Sequence, residues 1–317
     1  MTRVGFLIAG LLLASSPGLR AQVSTVPPLT QMDWQLRTVR ASGQPVIPVF
    51  EGWYANEDGT YDLCFGFFNL NREESLDIPI GENNFIEPSR FNGVQPTHFT
   101  ALGSGDDGFG SGGRREYCVF AVNVPSDIGS ERVWWNLIID GHTYRVPGHI
   151  TSRPWGVDNL VNSVGASVMD FDQDAIQGVL TAPIVRFIEP AGEAGRGKGG
   201  VTTAGPFTAR VGTPVSLTIS VTHTEEGAVE FGALDPDEEG VLAEQSLKWS
   251  QFSGPAATTS FRPQRSRFQV DLEPTEQTTE VTFEQPGDYV LLVQVLNGSY
   301  SSQCCWTNAR VEVTVTP

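Results

Sequence analysis

The chain has 317 residues, with 20 Lys and Arg against 37 Asp and Glu, and its formal net charge is −17 at pH 7. It has no basic stripe that could release counterions from a polyanion, so this balance excludes nucleic acid and anionic membrane surfaces as partners. The length allows two domains of ordinary size, each with its own core.

Residues 1–21 have the layout of a secretory signal peptide. Arg3 precedes an apolar run, Val4 to Ala14, and small or turn-forming residues then lead to Ala21, near which we expect cleavage. The apolar run has about 11 residues, whereas a bilayer span needs roughly 20. We therefore predict a mature chain that is secreted, periplasmic or at the cell surface and that has no transmembrane segment.

Residues 22–50 are predicted to form an N-terminal arm, and the first folded domain is predicted over 51–148. In this domain the sequence Asp58-Gly59 favours a hairpin turn, so Trp53 and Tyr54 should pair back across it. The next strand alternates, and one of its faces is expected to carry Tyr61, Leu63, Phe65 and Phe67.

The rest of the first domain continues this strand pattern. One face of a strand over Arg115–Val124 is expected to carry Cys118, Phe120, Val122 and Val124. A second hairpin is predicted where Asp140-Gly141 joins the strand that contains Trp134-Trp135 to the strand after it. With about six to eight strands and no helix, the segment is predicted to fold as an antiparallel β-sandwich.

The sequence has four cysteines, and in an exported chain they are expected to form disulfides. Cys64 and Cys118 each lie in a predicted strand of the first domain, so we predict that they pair across neighbouring strands or sheets. Closing a loop of this length would stabilise the fold by roughly 4 kcal/mol. Cys304 and Cys305 are adjacent, and they either close a vicinal ring, stay free or pair elsewhere.

Residues 149–183 lose the alternation and are interpreted as a linker. Three of its carboxylates have the spacing of a Ca²⁺-binding loop: Asp170, Asp172 and Asp174. An EF-hand loop then requires Gly and Glu at its sixth and twelfth positions, where this chain has Ala175 and Thr181. The three aspartates are retained as a candidate Ca²⁺ site, and no other cofactor is predicted.

The second domain is predicted over 184–317, as about seven strands with the rhythm of an immunoglobulin-like sandwich. Its motifs lie in three segments: Gly212-Thr213-Pro214-Val215-Ser216-Leu217, Trp249 with Ser253-Gly254-Pro255, and Thr282 to Leu291 with Pro286-Gly287-Asp288-Tyr289. Together they resemble the polycystic-kidney-disease-type (PKD-like) repeats. The resemblance implies a β-sandwich with Trp249 in its core, used as a spacer or binding module on exported proteins. A long acidic insert, 225–244, departs from the pattern.

The first domain also carries motifs that resemble those of other proteins: Gly52-Trp53-Tyr54, Asp58-Gly59-Thr60-Tyr61 and Gln95-Pro96-Thr97-His98-Phe99. It is similar to exported bacterial proteins that carry no assigned function. This likeness implies no site.

No catalytic constellation is visible in the sequence. The four histidines are spread over both domains, without the two-His spacing of a metal helix and without a Gly-x-Ser-x-Gly elbow nearby. Aromatic residues crowd the first domain instead, and neighbours such as Trp134 and Trp135 must point to opposite faces of one strand. The candidate ligand-binding residues are Trp53, Tyr54, Trp134, Trp135 and His98.

Two functions follow from these observations. The first is an exported, non-catalytic protein that is adhesive, structural or ligand-binding, with a polysaccharide or an extracellular protein as partner. The alternative is an exported hydrolase or carbohydrate-active enzyme whose site lies near His98. An enzyme should show a concave pocket that holds a histidine with a carboxylate in hydrogen-bond reach, whereas a binding module should show a flat aromatic surface or none.

Overall fold

A computed structural model describes residues 40–56, 58–101, 115–151, 183–197, 199, 201–202, 206–222, 244–256, 259–269, 273–297 and 306–317. In the first half of the chain the strands are β1 (Val46–Ala55), β2 (Tyr61–Asn69), β3 (Leu76–Asp77), β4 (Asn84–Glu87), β5 (His98–Phe99), β6 (Arg115–Val124), β7 (Val133–Ile139) and β8 (His142–Gly148). In the second half they are β9 (Ile184–Glu189), β10 (Ala194–Gly195), β11 (Val201–Thr202), β12 (Phe207–Arg210), β13 (Val215–Thr222), β14 (Glu244–Ser253), β15 (Thr259–Arg262), β16 (Arg265–Gln269), β17 (Thr275–Phe283), β18 (Gly287–Asn297) and β19 (Trp306–Thr316). A 3₁₀ turn, Ser89–Phe91, follows β4. The predicted all-β fold class is confirmed.

The first half is a sandwich of two three-stranded sheets, in the orders β1-β2-β6 and β4-β7-β8, with β3 and β5 paired beside them. Its core is aromatic: the Phe65 and Phe120 rings stack with centroids 5.3 Å apart, and Trp135 meets Phe120 edge-on at 4.9 Å. These side chains come from both sheets, because each strand alternates between a core face and an outer face.

Both predicted hairpins of this sandwich are present. Trp53 pairs with Leu63 across the first turn. In the second, Asp140 and Gly141 have positive φ angles of 50° and 75°, and they join β7 to β8 as a two-residue loop. That backbone twist is the one that tight antiparallel hairpins favour.

The second half consists of two larger sheets, β10-β9-β13-β17-β15 and β11-β19-β18-β14-β16. Trp249 lies between them in the core, as expected, and is almost fully buried. The segments that carry the PKD-like resemblance meet here, since a Cβ added at Gly254 would lie 2.7 Å from the Tyr289 ring. The Tyr289 hydroxyl in turn donates to the Gln285 carbonyl at 2.9 Å. Most pairings are antiparallel, but β11 and β12 pair with β19 in parallel.

The disulfide between Cys64 and Cys118 is formed, with Cα atoms 5.1 Å apart, and it confirms the predicted pairing. The expected placement of Cys118 on the face of Phe120, Val122 and Val124 is wrong. Strand β6 bulges, so that Phe120 pairs with Phe65 but Glu116 already pairs with Phe67. The bulge turns Cys118, with φ of 41°, to the opposite side of the sheet, where Cys64 lies.

The two sandwiches pack against each other, and residues 39–317 form one compact unit. The side of β14, β18 and β19 that points away from the core of the second sandwich covers β6 and its disulfide. Phe252 and Leu292 from these strands join the core of the first sandwich. The segments predicted as arm and linker lie largely outside the described residues. Strand β1 begins at Val46, within the segment expected as the arm.

Candidate functional site

The adjacent tryptophans of β7 lie on opposite faces, as the alternation predicts. Trp135 is 0% exposed, and its indole N–H donates to Asn84 Oδ1 at 3.0 Å. It therefore belongs to the core and offers no surface to a ligand. Trp134 is half-buried on the other side of the sheet.

Trp134 is central to what we call the outer face, the side of the β4-β7-β8 sheet that points away from the core. The strand register assigns to this face Phe85 and Glu87 from β4, Trp134, Asn136 and Ile138 from β7, and Thr143, Arg145 and Pro147 from β8. Three apolar side chains on it, those of Phe85, Trp134 and Ile138, are only half-buried. The outer face is thus a partly apolar surface on three paired strands.

Charged and amide groups surround the tryptophan. The Arg145 guanidinium lies over the Trp134 ring, with Cζ 3.8 Å from the ring centroid, and Arg145 is exposed. On the other side Glu87 is opposite Trp134 in the register, and its Oε2 accepts from Asn136 Nδ2 at 3.4 Å. A cation–π stack of this kind fixes the plane of the guanidinium and leaves N–H groups at its edge as donors. The outer face therefore combines an aromatic ring, donors and acceptors.

The other two aromatic candidates lie elsewhere. Trp53 is on β1, half-buried, and it meets the Tyr61 ring edge-on at 5.4 Å. The backbone of Tyr54 pairs with Asp62 on β2, and its side chain lies outside the described part of the chain. Strands β1 and β7 belong to different sheets, so Trp53 and Trp134 do not form one surface on a shared sheet.

The asparagines near these aromatics have structural roles. Asn69, Asn71 and Asn84 are 0% exposed. Asn69 Nδ2 donates to the carbonyls of Glu74 and Phe99, both at 3.0 Å. Each buried amide satisfies backbone groups in the irregular segments between the strands, where the sheets leave them without partners.

His98 has the carboxylate partner that the enzyme interpretation requires. Its Nδ1 lies 2.8 Å from Asp77 Oδ1 across the β3-β5 pair, and His98 is 6% exposed. It lines a cleft between the two sandwiches, together with Glu116 and Ser250, of about 10 Å³. That is the space of about one water molecule, far below the roughly 300 Å³ of a ligand pocket. Glu116, which belongs to the cleft lining, has its carboxylate paired with Lys248.

The metal candidates remain predictions. Asp170, Asp172 and Asp174 lie outside the described residues. Within the described ranges, no three His, Cys, Asp or Glu side chains are grouped so that they could hold an ion. In the same ranges no helix has the length and apolar character of a membrane span.

No family model matches the chain, and no curated protein matches it in sequence. Among solved structures, the D00-D0 domain of intimin is 10% identical, with 85% of this chain and 100% of that chain covered and a TM-score of 0.24. The Yersinia pseudotuberculosis adhesin InvE is 8% identical over 85% of this chain and 58% of that chain, also with a TM-score of 0.24. A nucleoside hydrolase-related hypothetical protein from Saccharophagus degradans is 14% identical, over 43% of this chain and only 26% of its own length, with a TM-score of 0.25. TM-scores this low establish neither a shared fold nor a shared function.

Proposed function

We propose that this protein is an exported, non-catalytic binding protein that attaches to a polysaccharide through its outer face. The observation that carries the proposal is the half-buried Trp134 ring with Arg145 stacked on it, on the three-stranded β4-β7-β8 sheet. Sugar rings present apolar C–H faces beside hydroxyl groups that both donate and accept hydrogen bonds. An aromatic ring complements the former, and a planar guanidinium next to a carboxylate complements the latter.

The arrangement favours a hydroxyl-rich ligand over a strongly charged one. Arg145 and Glu87 bring one positive and one negative charge to opposite sides of Asn136. A polyanion would meet the Glu87 carboxylate, and a polycation would meet the guanidinium. A neutral glycan can accept from Arg145 and donate to Glu87 at the same time.

Export is supported by the Cys64–Cys118 disulfide, because disulfides persist mainly in oxidising compartments. The sequence of residues 1–21, which resembles a signal peptide, also favours export. A non-catalytic role is supported by the size of the His98 cleft, which would have to open before a sugar ring could reach the His98–Asp77 pair.

Binding should be measured with residues 22–317 by isothermal titration and by thermal melts against a panel of neutral and charged polysaccharides. A ligand that prefers the folded state raises the melting midpoint by mass action. Trp134→Ala is expected to remove the shift. Trp53→Ala is the matched control, since it deletes a half-buried tryptophan from the other sheet and should leave binding unchanged.

Arg145 allows a second, finer test. Arg145→Lys keeps the charge but loses the planar stack, and it is expected to weaken binding about tenfold, which corresponds to about 1.4 kcal/mol. Its control is Arg90→Ala, which removes an exposed arginine that lies 4.5 Å over the Phe91 ring. Polysaccharide binding that is equal in wild type, Trp134→Ala and Arg145→Lys would refute the proposed face.

The alternative, a carbohydrate-active enzyme, rests on the 2.8 Å contact between His98 and Asp77. It predicts that wild type shortens a polysaccharide and that His98→Gln does not. The binding proposal predicts no shortening by either protein and equal affinity in both. Product analysis by size-exclusion chromatography separates the two.

A further inference from the structure

Four consecutive residues of β6 are each held by a side chain of the second sandwich. The Glu116 carboxylate is paired with Lys248. The backbone carbonyls of the next three residues accept hydrogen bonds from the second sandwich. Tyr117 accepts from Gln294 Nε2 at 3.0 Å, Cys118 from Asn308 Nδ2 at 2.8 Å and Val119 from Arg310 at 3.3 Å. We call this set of contacts, Glu116–Val119 with Lys248, Gln294, Asn308 and Arg310, the interface.

These carbonyls lie on an edge strand of the β1-β2-β6 sheet, at the point where β6 is bulged. In the register with β2, Tyr117, Cys118 and Val119 lie between the pairs Phe67–Glu116 and Phe65–Phe120, so they have no ladder partners there. Buried backbone carbonyls without partners are costly, and the second sandwich satisfies them. The conformation of the bulge therefore decides whether the interface can form.

The disulfide lies inside this bulge. Cys118 is one of its residues and is tied to Cys64 on β2, so the covalent bond holds the bulge against its neighbouring strand. Both cysteines are fully buried, and Leu296 of β18 packs on them from the second sandwich. In the folded protein, opening of the interface is therefore the direct way for a reductant to reach the sulfur atoms.

We propose that the Cys64–Cys118 disulfide and the interface protect each other, so that the protein has a redox-linked contact between its sandwiches. The closed interface shields the disulfide from reduction, and the disulfide holds the bulge that the interface binds. Linkage makes this coupling reciprocal at equilibrium: whatever destabilises the interface favours reduction, and reduction destabilises the interface by the same free energy. The rate of reduction rises separately, because an open interface no longer shields the sulfur atoms.

The chemistry needs a dithiol as reductant. Its thiolate attacks one cysteine sulfur and releases the other as a thiolate, which gives a mixed disulfide. The second thiol of the reductant then attacks the other sulfur atom of the reductant, which is bonded to the protein in the mixed disulfide, and so releases the remaining cysteine. Two electrons and two protons pass to the protein, which gains two thiols, and the dithiol leaves as a cyclic disulfide.

The first test measures the rate at which dithiothreitol reduces the native protein, followed by alkylation and mass spectrometry. Asn308→Ala and Gln294→Ala each delete one interface hydrogen bond, and each is expected to raise the rate about fivefold. Thr218→Ala is the control, because it deletes a buried hydroxyl that bonds Thr278 at 2.9 Å in the other sheet of the second sandwich. Its rate should equal that of wild type.

Global unfolding would also expose the disulfide, and the urea dependence of the rate separates the two routes. Opening of the interface exposes much less surface than unfolding, so its rate should depend only weakly on urea. A rate whose urea dependence matches that of global unfolding in every variant would overturn the proposal. So would equal rates in Asn308→Ala, Gln294→Ala and Thr218→Ala.

The reciprocal arm removes the disulfide with Cys64→Ala and Cys118→Ala together. Thr97 N–H donates to the Phe252 carbonyl at 3.1 Å, across the two sandwiches, so its hydrogen exchange reports whether they are in contact. In the folded double variant we expect Thr97 to exchange at least tenfold faster, with the exchange of β13 and β17 amides unchanged. Unchanged protection of Thr97 would refute the coupling. If the double variant does not fold, the same exchange is measured on wild type after reduction and alkylation.

Discussion

Replacing Asn84 by alanine tests whether a single buried amide organises the irregular segment between β3 and β5. Asn84 Nδ2 donates to the carbonyls of Ile78 and Pro96, both at 2.8 Å, and Asn84 Oδ1 accepts from the indole of Trp135. Alanine leaves these three partners buried and unsatisfied, and each such group costs about 1–3 kcal/mol. Allowing for partial relaxation, we expect a loss of about 3–5 kcal/mol in the free energy of unfolding, within the range of the largest single-residue effects.

The assay is urea and thermal unfolding followed by circular dichroism. At an unfolding entropy of about 2.1 cal/mol/K per residue, a loss of this size should lower the melting midpoint by about 5–8 °C for a chain of this length. Asn83→Ala is the matched control, because Asn83 is the same residue type, adjacent and exposed, and its replacement should change stability by about 0.5 kcal/mol or less. Asn84→Asp keeps the acceptor for Trp135 but sets a carboxylate oxygen against two carbonyls, so it should be no more stable than Asn84→Ala. Equal midpoints for the Asn83→Ala and Asn84→Ala variants would refute the reasoning.

Three further predictions concern the buried Lys248–Glu116 pair, Gly66 beside the bulge of β6, and His149. Lys248→Ala leaves Glu116 buried without its partner and should lower the free energy of unfolding by about 3–5 kcal/mol, whereas Lys248→Met with Glu116→Leu should recover most of it in urea titrations. Gly66→Ala would place a Cβ 2.2 Å from the carbonyl oxygen of Glu116, and this clash with backbone should cost about 1–3 kcal/mol or more in the same assay. Burial, with a smaller contribution from the Arg132 charge, lowers the pKa of His149, so the folded state binds fewer protons there. Its contribution to stability should therefore fall as the pH drops through the ordinary histidine range, and His149→Gln should remove this part of the pH dependence, with NMR titration checking the pKa direction.

Strand positions and hairpins could be predicted because their signals are local. Asp58-Gly59 and Asp140-Gly141 favour positive φ in tight turns, and alternation identified the core residues Leu63 and Phe65. The disulfide followed from two cysteines in neighbouring strands. The side on which Cys118 lies could not be predicted, because a bulge depends on the pairing register of two strands that are distant in sequence.

The candidate site was predictable only in part. Alternation requires Trp134 and Trp135 to lie on opposite faces of one strand, but it gives no reason why Trp135 should be the buried one. That choice depends on which face of the β4-β7-β8 sheet meets the Phe65 and Phe120 rings of the other sheet. Arg145 lies over the Trp134 ring only because of the register of β7 and β8. The sequence therefore offered no sign of this contact, beyond placing both residues in one hairpin.

By itself, therefore, the sequence determined an acidic, all-β chain with correctly placed hairpins, a paired Cys64–Cys118 and a core position for Trp249. Only the tertiary structure decided that Lys248 and Asn308 are buried. Both occupy alternating positions on the side of their strands away from the core, where an isolated sandwich would expose them to solvent. Their burial arises because the first sandwich presents its bulged strand β6 to that face. A contact between surfaces so far apart in sequence leaves no periodic pattern in either.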